Sequence, residues 1–242
     1  MKFLEALGRQ VLILDGAMGT MVQNLELKDE AFGGPDFKML TDLLVFSRPK
    51  ELEEIHFKYL SAGANIIETD TFGASPLRLK EFDFTKINTS DLEAIPESLI
   101  LQEADLNKIA YFLNLEACQI AHKAIERYKQ SPEYDGSPLF VAGSIGPSNY
   151  VVSSTQAELN RATFDGIVEN SYRQAVGLID GGADVLLYET QQDILELKAE
   201  IIGAKKAMME KGKKVPIMAQ ITVDQFSKCR FLIAIFKPPM WR

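Results

Sequence analysis

The chain has 242 residues, 46% hydrophobic and 25% charged, which are ordinary proportions for a globular protein. Its formal net charge of −8 disfavours a nucleic-acid partner, and no apolar run approaches the roughly 20 residues of a membrane span. Met1 to Glu5 does not read as a signal peptide, and two cysteines give no disulfide framework, so a cytoplasmic, reduced setting without a membrane partner is expected.

The first predicted strand is Val11-Leu12-Ile13-Leu14, a continuous apolar run bounded by turn residues, the pattern of a strand buried on both faces. It runs into Asp15-Gly16-Ala17-Met18-Gly19-Thr20, where an acid at the strand's carboxyl end meets glycines that let backbone N–H groups turn inward. A receptor for a zwitterion such as an amino acid and a merely capped turn are both compatible with this stretch. Met21 to Leu44 is turn-rich and reads as a long loop or lid. Ser47-Arg48-Pro49 opens a helix, with Ser47 as candidate N-cap and Pro49 in the first turn.

Asn65 to Phe72 reads as the second strand. Residues 77–115 are less patterned and are expected in part to be an insertion, with Ser90 or Asp91 capping a short helix. Asn114 to Lys129 returns to helical period. Leu139 to Ile145, Val185 to Thr190 and Pro216 to Val223 read as the third, fourth and fifth strands. Helices over Thr163–Ile179 and Asp193–Met209 separate them. Ser61 to Thr69 also echoes Asp180 to Thr190: helix end, small-residue turn, buried strand, Glu-Thr.

Strands alternating with helices predict βαβ units and a parallel sheet, and repeated units with polar strand ends predict a TIM (β/α)8 barrel. An open doubly wound sheet is the alternative, but no G-x-G-x-x-G follows the first strand. Five strands occupy the chain to Val223, and three more βα units of about 30 residues do not fit in residues 224–242. The barrel is therefore expected to be incomplete over residues 1–228, with 229–242 an atypical tail. Its run Phe231 to Phe236 reads either as a sixth strand or, preferably, as a non-native end from a frameshift or early stop. Such a partial barrel is expected to be unstable or to associate.

Asp15 and Glu189 stand at strand carboxyl ends, so a closed barrel brings both to one mouth, where they can bind an ammonium or serve as acid and base. Glu68 and Thr69 have opposite parity, and only one can face the axis. His56 and His122 lie on helices and are not expected to do chemistry. Cys118 belongs to an apolar stripe, and two distant cysteines are too few for zinc. A barrel lyase abstracting protons through these acids lacks the strand-end lysine of Schiff-base chemistry.

Leu14 to Met21, Asp42-Leu43-Leu44 with Ser47-Arg48-Pro49, Ala62 to Phe72, Gly143 to Pro147 and Tyr188-Glu189-Thr190 occur here in order. Together, over roughly residues 8–228, they resemble the homocysteine-binding module of the homocysteine S-methyltransferase family, nearest its cobalamin-dependent methionine synthase branch; betaine- and S-methylmethionine-dependent enzymes are the alternative. The resemblance implies a (β/α)8 barrel that passes a methyl group to homocysteine, giving methionine. It implies that Asp15 and Glu189 hold the substrate ammonium, while the Gly16-Ala17 amides and Thr69 address its carboxylate. It also implies zinc and cobalamin as cofactors, and folate- and cobalamin-binding modules as partners in the whole enzyme. Zinc lowers the thiol pKa from its usual value near 8.5, and the thiolate attacks. The family's cysteine ligands follow strands six and eight, which this chain does not reach. No catalytic or metal-ligating residue is therefore expected, and no turnover by this polypeptide; a non-catalytic fragment held by association is the competing expectation.

Overall fold

The computed structural model describes residues 2–150, 152, 162–223 and 233–236. After α1 (Phe3–Leu7) the chain enters the sheet as Leu14, by a single parallel bridge to Ile66. Then come α2 (Met18–Gln23), α3 (Leu44–Ser47), α4 (Pro49–Ser61), β1 (Ile66–Glu68), α5 (Pro76–Leu79), α6 (Leu106–Lys129) and β2 (Phe140–Ile145). They are followed by α7 (Phe164–Gly181), β3 (Val185–Gln191), α8 (Ile194–Lys211), β4 (Ile217–Ile221) and β5 (Ile233–Phe236). Strands β1 to β4 are parallel and neighbour one another in chain order. A doubly wound sheet reverses its strand order at a switch point, whereas a barrel adds each strand beside the last. This is the barrel's winding, a partial barrel of TIM type.

Strand alternation sorts the core into two faces. Ile66, Phe140, Ala142, Val185, Leu187 and Met218 point to the barrel interior, where Phe3 and Ala6 of α1 close the bottom. The Phe3 ring stands edge-on to Phe140, centroids 5.2 Å apart. Ile67, Val141, Leu186, Tyr188 and Ile217 point outward into an apolar layer shared with α6, α7 and α8. Where α7 and α8 cross, a Cβ on Gly203 would lie 2.3 Å from the Val168 carbonyl oxygen and 2.8 Å from the Tyr172 nitrogen. Gly203→Ala should therefore destabilise the fold by about 1–3 kcal/mol by forcing the helices apart. A thermal melt checks this, and an unchanged midpoint would contradict so close a crossing.

The internal repeat is structural. Gly63 and Gly182 both adopt left-handed conformations, with φ of 101° and 93°. One residue precedes each strand with its side chain turned back: Asn65 Oδ1 accepts the Ile13 N–H at 3.1 Å, and Asp184 Oδ2 accepts the Val141 N–H at 2.9 Å. Each unit thus clamps the strand before it.

Several expectations need correction. The 11–14 run is not buried on both faces: Val11 is 87% and Ile13 56% exposed, because this segment lies at the sheet edge with only β1 beside it. The second strand shrinks to β1: the Thr69 N–H still donates to the Ala142 carbonyl at 2.9 Å, and Asp70 to Phe72 then turn away. Ser47 does not cap α4; its hydroxyl donates to the Ala31 carbonyl at 2.5 Å, and Arg48 takes the cap position without a side-chain bond. Asp91 pairs with Arg48 at 3.0 Å instead of capping a helix. The segment after residue 77 is not peripheral: Phe84, Ile87, Leu92, Leu99 and Leu101 are buried in one cluster with Phe32, Phe37 and Leu40 of the expected lid. Helix α6 begins eight residues earlier than its periodicity implies, at Leu106 rather than Asn114, capped by Asp105, which accepts the Asn107 N–H at 3.0 Å.

Residues 233–236 form the strand alternative for the apolar tail, but β5 pairs with β4 antiparallel, Ile217 opposite Phe236, so it does not continue the βα pattern. The expected boundary at residue 228 and Cys229 lie outside the described residues.

Candidate functional site

At the carboxyl ends of the strands the interior positions turn from apolar to polar. Inward parity passes from Ile66 to Glu68 on β1, from Ala142 to Ser144 on β2, and from Leu187 to Glu189 on β3. Asp15 follows Leu14 at the same level, and both its carboxylate oxygens accept the Glu68 N–H, at 3.0 and 3.1 Å. Asp15, Glu68 and Glu189 therefore form one group of half-buried carboxyls at the mouth.

Their electrostatics are those of acids with only one another for charged company. Burial pushes Asp15 up to about 7, with the Glu189 charge adding to it and the Glu68 N–H opposing. Glu68 is pushed up to about 9 by burial and then by the Glu189 and Asp15 charges. Burial also raises Glu189, against the lowering hydrogen bond from Ser144. No cationic side chain is among the groups acting on the three. An arriving cation would relieve the repulsion and draw all of them toward ionisation.

Backbone strain accompanies two of these acids. Ala17, two residues after Asp15, has φ 47°, and Thr190, directly after Glu189, has φ 58°. Left-handed backbone is uncommon for any residue with a Cβ and an outlier for a β-branched one. At Thr190 it coincides with the irregularity that interrupts β3–β4 pairing between Tyr188 and Gln191. Gly16 and Ala17 lead into α2, so their amides sit beside Asp15 where the resemblance places the substrate carboxylate.

The resemblance assigns Thr69 to the substrate carboxylate as well. Thr69 follows the outward parity of Ile67, is only 2% exposed, and its hydroxyl is already engaged. Thr69 Oγ1 lies 2.6 Å from Thr71 Oγ1 and accepts the Ser144 N–H at 3.0 Å. The residue of β1 that joins Asp15 and Glu189 is Glu68. Its Glu-Thr context gave no basis for choosing between neighbours of opposite parity.

A second carboxyl pair lies behind the mouth, unforeseen in the sequence. Asp42 and Asp70 are both buried; Asp42 Oδ1 accepts the Gly73 N–H at 2.9 Å, while Asp70 Oδ2 has no partner. Burial pushes Asp42 up to about 6, and burial plus the Asp42 charge push Asp70 up to about 8. The signal available was an acid beside apolar residues in Asp42-Leu43-Leu44 and a second acid, Asp70, two residues after Glu68. Glu196 of α8 draws in the turn after β2, accepting the Ser148 N–H at 2.8 Å and its hydroxyl at 2.5 Å.

His56 is buried, with its pKa lowered to about 4, and stays neutral at physiological pH. His122 contacts the Gly182 carbonyl at 3.0 Å. Cys118 is buried, its thiol pushed up to about 12, and it points at the Leu178 carbonyl 3.7 Å away; that is a core thiol, not a metal ligand. Among the described residues no three His, Cys, Asp or Glu side chains are disposed to hold a metal ion. These residues do not fit a zinc centre. No helix among the described residues is long and apolar enough to cross a membrane.

A family model described as homocysteine S-methyltransferase matches residues 12–232. Methionine synthase of Mycobacterium leprae (strain TN) is 32% identical over 222 residues, covering 91% of this chain and 16% of that protein. Methionine synthase of Mycobacterium tuberculosis (strain ATCC 25618 / H37Rv) is 31% identical with the same coverage. The chain thus spans about a sixth of the length of these relatives. Among solved structures, the oxidized form of the homocysteine methyltransferase MmuM from Escherichia coli superposes with a TM-score of 0.62 at 22% identity, covering 90% of this chain and 64% of that one. Its metallated form gives 0.62 at 20% identity, covering 88% and 64%. At this identity the likeness is one of fold, and it agrees with strands added in chain order around an apolar interior.

Proposed function

The chain belongs to the homocysteine S-methyltransferase family, and we propose that it forms the part of a homocysteine methyltransferase that grips the amino-acid end of the substrate. The observation that carries this reading is the group of three acids at the barrel mouth, with no cationic side chain acting on them. Asp15 and Glu189 hold the ammonium. The Gly16 and Ala17 amides, turned by the left-handed Ala17, take the carboxylate. Thr69 supports this grip from behind: with its hydroxyl bound to Thr71 and the Ser144 N–H, it fixes the β1–β2 junction. Residues 1–228 make up this binding unit, and 229–242 are not part of it.

In a protein of methionine synthase type the homocysteine sulfur would receive its methyl group from methylcobalamin, itself supplied through 5-methyltetrahydrofolate by partner modules. Zinc supplies thiolate activation in this chemistry when bound. The described residues hold no set that fits it, so no step here is routed through the metal. What these residues do is bind, orient and accept charge.

Binding should release protons. Asp15, near 7, and Glu68, near 9, are partly or wholly protonated in the free protein at neutral pH, and an ammonium in the group lowers both. Calorimetric titration with L-homocysteine at pH 7 in two buffers of different ionisation enthalpy measures this release. Net proton release on binding is expected, together with no detectable binding of 4-mercaptobutyrate, which keeps the thiol, carboxylate and chain length but lacks the amine. Equal affinity for the two ligands would overturn the ammonium assignment.

A further inference from the structure

We propose that Ser144 is a positioning residue for Glu189, fixing that carboxylate in place for a cationic ligand group. The inference rests on the ammonium reading above and adds to it a residue that the reading leaves out. Ser144 lies on β2 at the inward position, 1% exposed, in a strand buried along its whole length. A hydroxyl so placed is costly unless its proton is used. It is used on Glu189: Ser144 Oγ donates to Glu189 Oε1.

The groups behind that bond hold Ser144 in place. Thr71 Oγ1 donates to the Ser144 carbonyl at 2.8 Å. With its proton spent there, Thr71 accepts from Thr69 Oγ1, 2.6 Å away. Thr69 in turn accepts the Ser144 N–H at 3.0 Å. Gln174 of α7 donates from Nε2 to the Thr71 carbonyl at 2.7 Å and to the Ser144 carbonyl at 3.4 Å. Thr71 and Gln174 are as deeply buried as Ser144. Three side chains thus grip the main chain of Ser144 on both its polar groups, which fixes where its hydroxyl stands beside Glu189.

The charged groups facing Glu189 are Asp15 and Glu68, both acids that the Glu189 charge raises, with the Tyr59 hydroxyl of α4 within electrostatic reach of those two. Burial raises Glu189, and the one resolved influence against it is the Ser144 hydroxyl. A donor to the charged form of a carboxyl lowers its pKa, so losing this donor raises the pH at which Glu189 becomes ready to bind.

The test is a ¹³C NMR titration of the Glu189 side-chain carboxyl in the wild-type chain, Ser144→Ala and Ser144→Cys, with homocysteine affinity measured on the same samples. The cysteine variant keeps the shape with a poor donor, so it carries the test should the alanine variant fold badly. Both variants should raise the Glu189 midpoint by about one pH unit, the scale of one lost charge-assisted hydrogen bond. Homocysteine affinity at pH 7 should fall about tenfold. A Glu189 midpoint unmoved in both variants overturns the proposal, whatever happens to melting temperature. A wild-type chain that binds no homocysteine, with the midpoint still shifting, overturns the substrate reading and leaves the positioning role of Ser144 supported.

Discussion

Glu189→Gln should weaken L-homocysteine binding about 100-fold at pH 8 while leaving the fold as stable as before or slightly more so. Glutamine retains an oxygen to accept the Ser144 hydroxyl, so the contact behind the site survives. What is lost is the charge that meets the ammonium. Removing one member of a desolvated, hydrogen-bonded charge pair costs about 2–5 kcal/mol, and each 1.4 kcal/mol is about tenfold in affinity. Stability is expected to move the other way, because the substitution removes a charge that raises both Asp15 and Glu68. Isothermal titration and a thermal melt on one preparation decide the matter. Affinity within about threefold of wild type would show that Glu189 does not touch the ammonium.

The free protein should lose stability as pH rises from 6.5 to 9, by on the order of 5 kcal/mol. The sign follows from the acids at the mouth and behind it. Asp15 near 7, Asp70 near 8 and Glu68 near 9 keep protons in the folded chain that the unfolded chain gives up near pH 4. The folded state therefore binds more protons, and stability falls with pH, beginning above the unfolded values and ending above the folded ones. Asp42 near 6 has completed its part below this window. His56 acts oppositely: lowered to about 4, it costs stability only as pH drops below 6.5, so it is silent here. For a chain of this length the loss corresponds to a fall of roughly 10 °C in melting temperature. Glu68→Gln should remove about half of the slope. A melting temperature that is flat or rising between pH 6.5 and 9 would mean these carboxyls are not held protonated by the fold.

How much of this was legible beforehand depended on the range of the interactions involved. The strands from Leu139, Val185 and Pro216 onward were readable because each is a short apolar run closed by turn residues, and the structure returns β2, β3 and β4 within a residue or two. The acids Asp15 and Glu189 stood out because charge at the end of such a run is unusual. Val11 and Ile13 were misjudged since composition reports that a segment is apolar, not how many strands lie beside it. The packing of Phe32 and Phe37 against Phe84 was invisible, as it joins two turn-rich stretches about fifty residues apart with no shared period. Ser47 had the right chemistry for a cap and found a nearer carbonyl in Ala31. Glu68 and Thr69 needed the parity of β1, which Ile66 and Ile67, both apolar, could not declare. Ser144 left a faint signal, one hydroxyl inside Phe140 to Ile145, which matters only once its partner across the sheet is known.

The backward clamps of Asn65 on Ile13 and Asp184 on Val141 bear on the order in which the chain can be completed. The 11–14 segment and β2 are each fastened by the residue that opens the neighbouring strand added after them. At these two junctions the contact that sets the register is complete once the later residue has emerged during synthesis. Local closure of this kind suits a fold whose ring is joined only at the last step, because these two contacts wait for no strand still to be made.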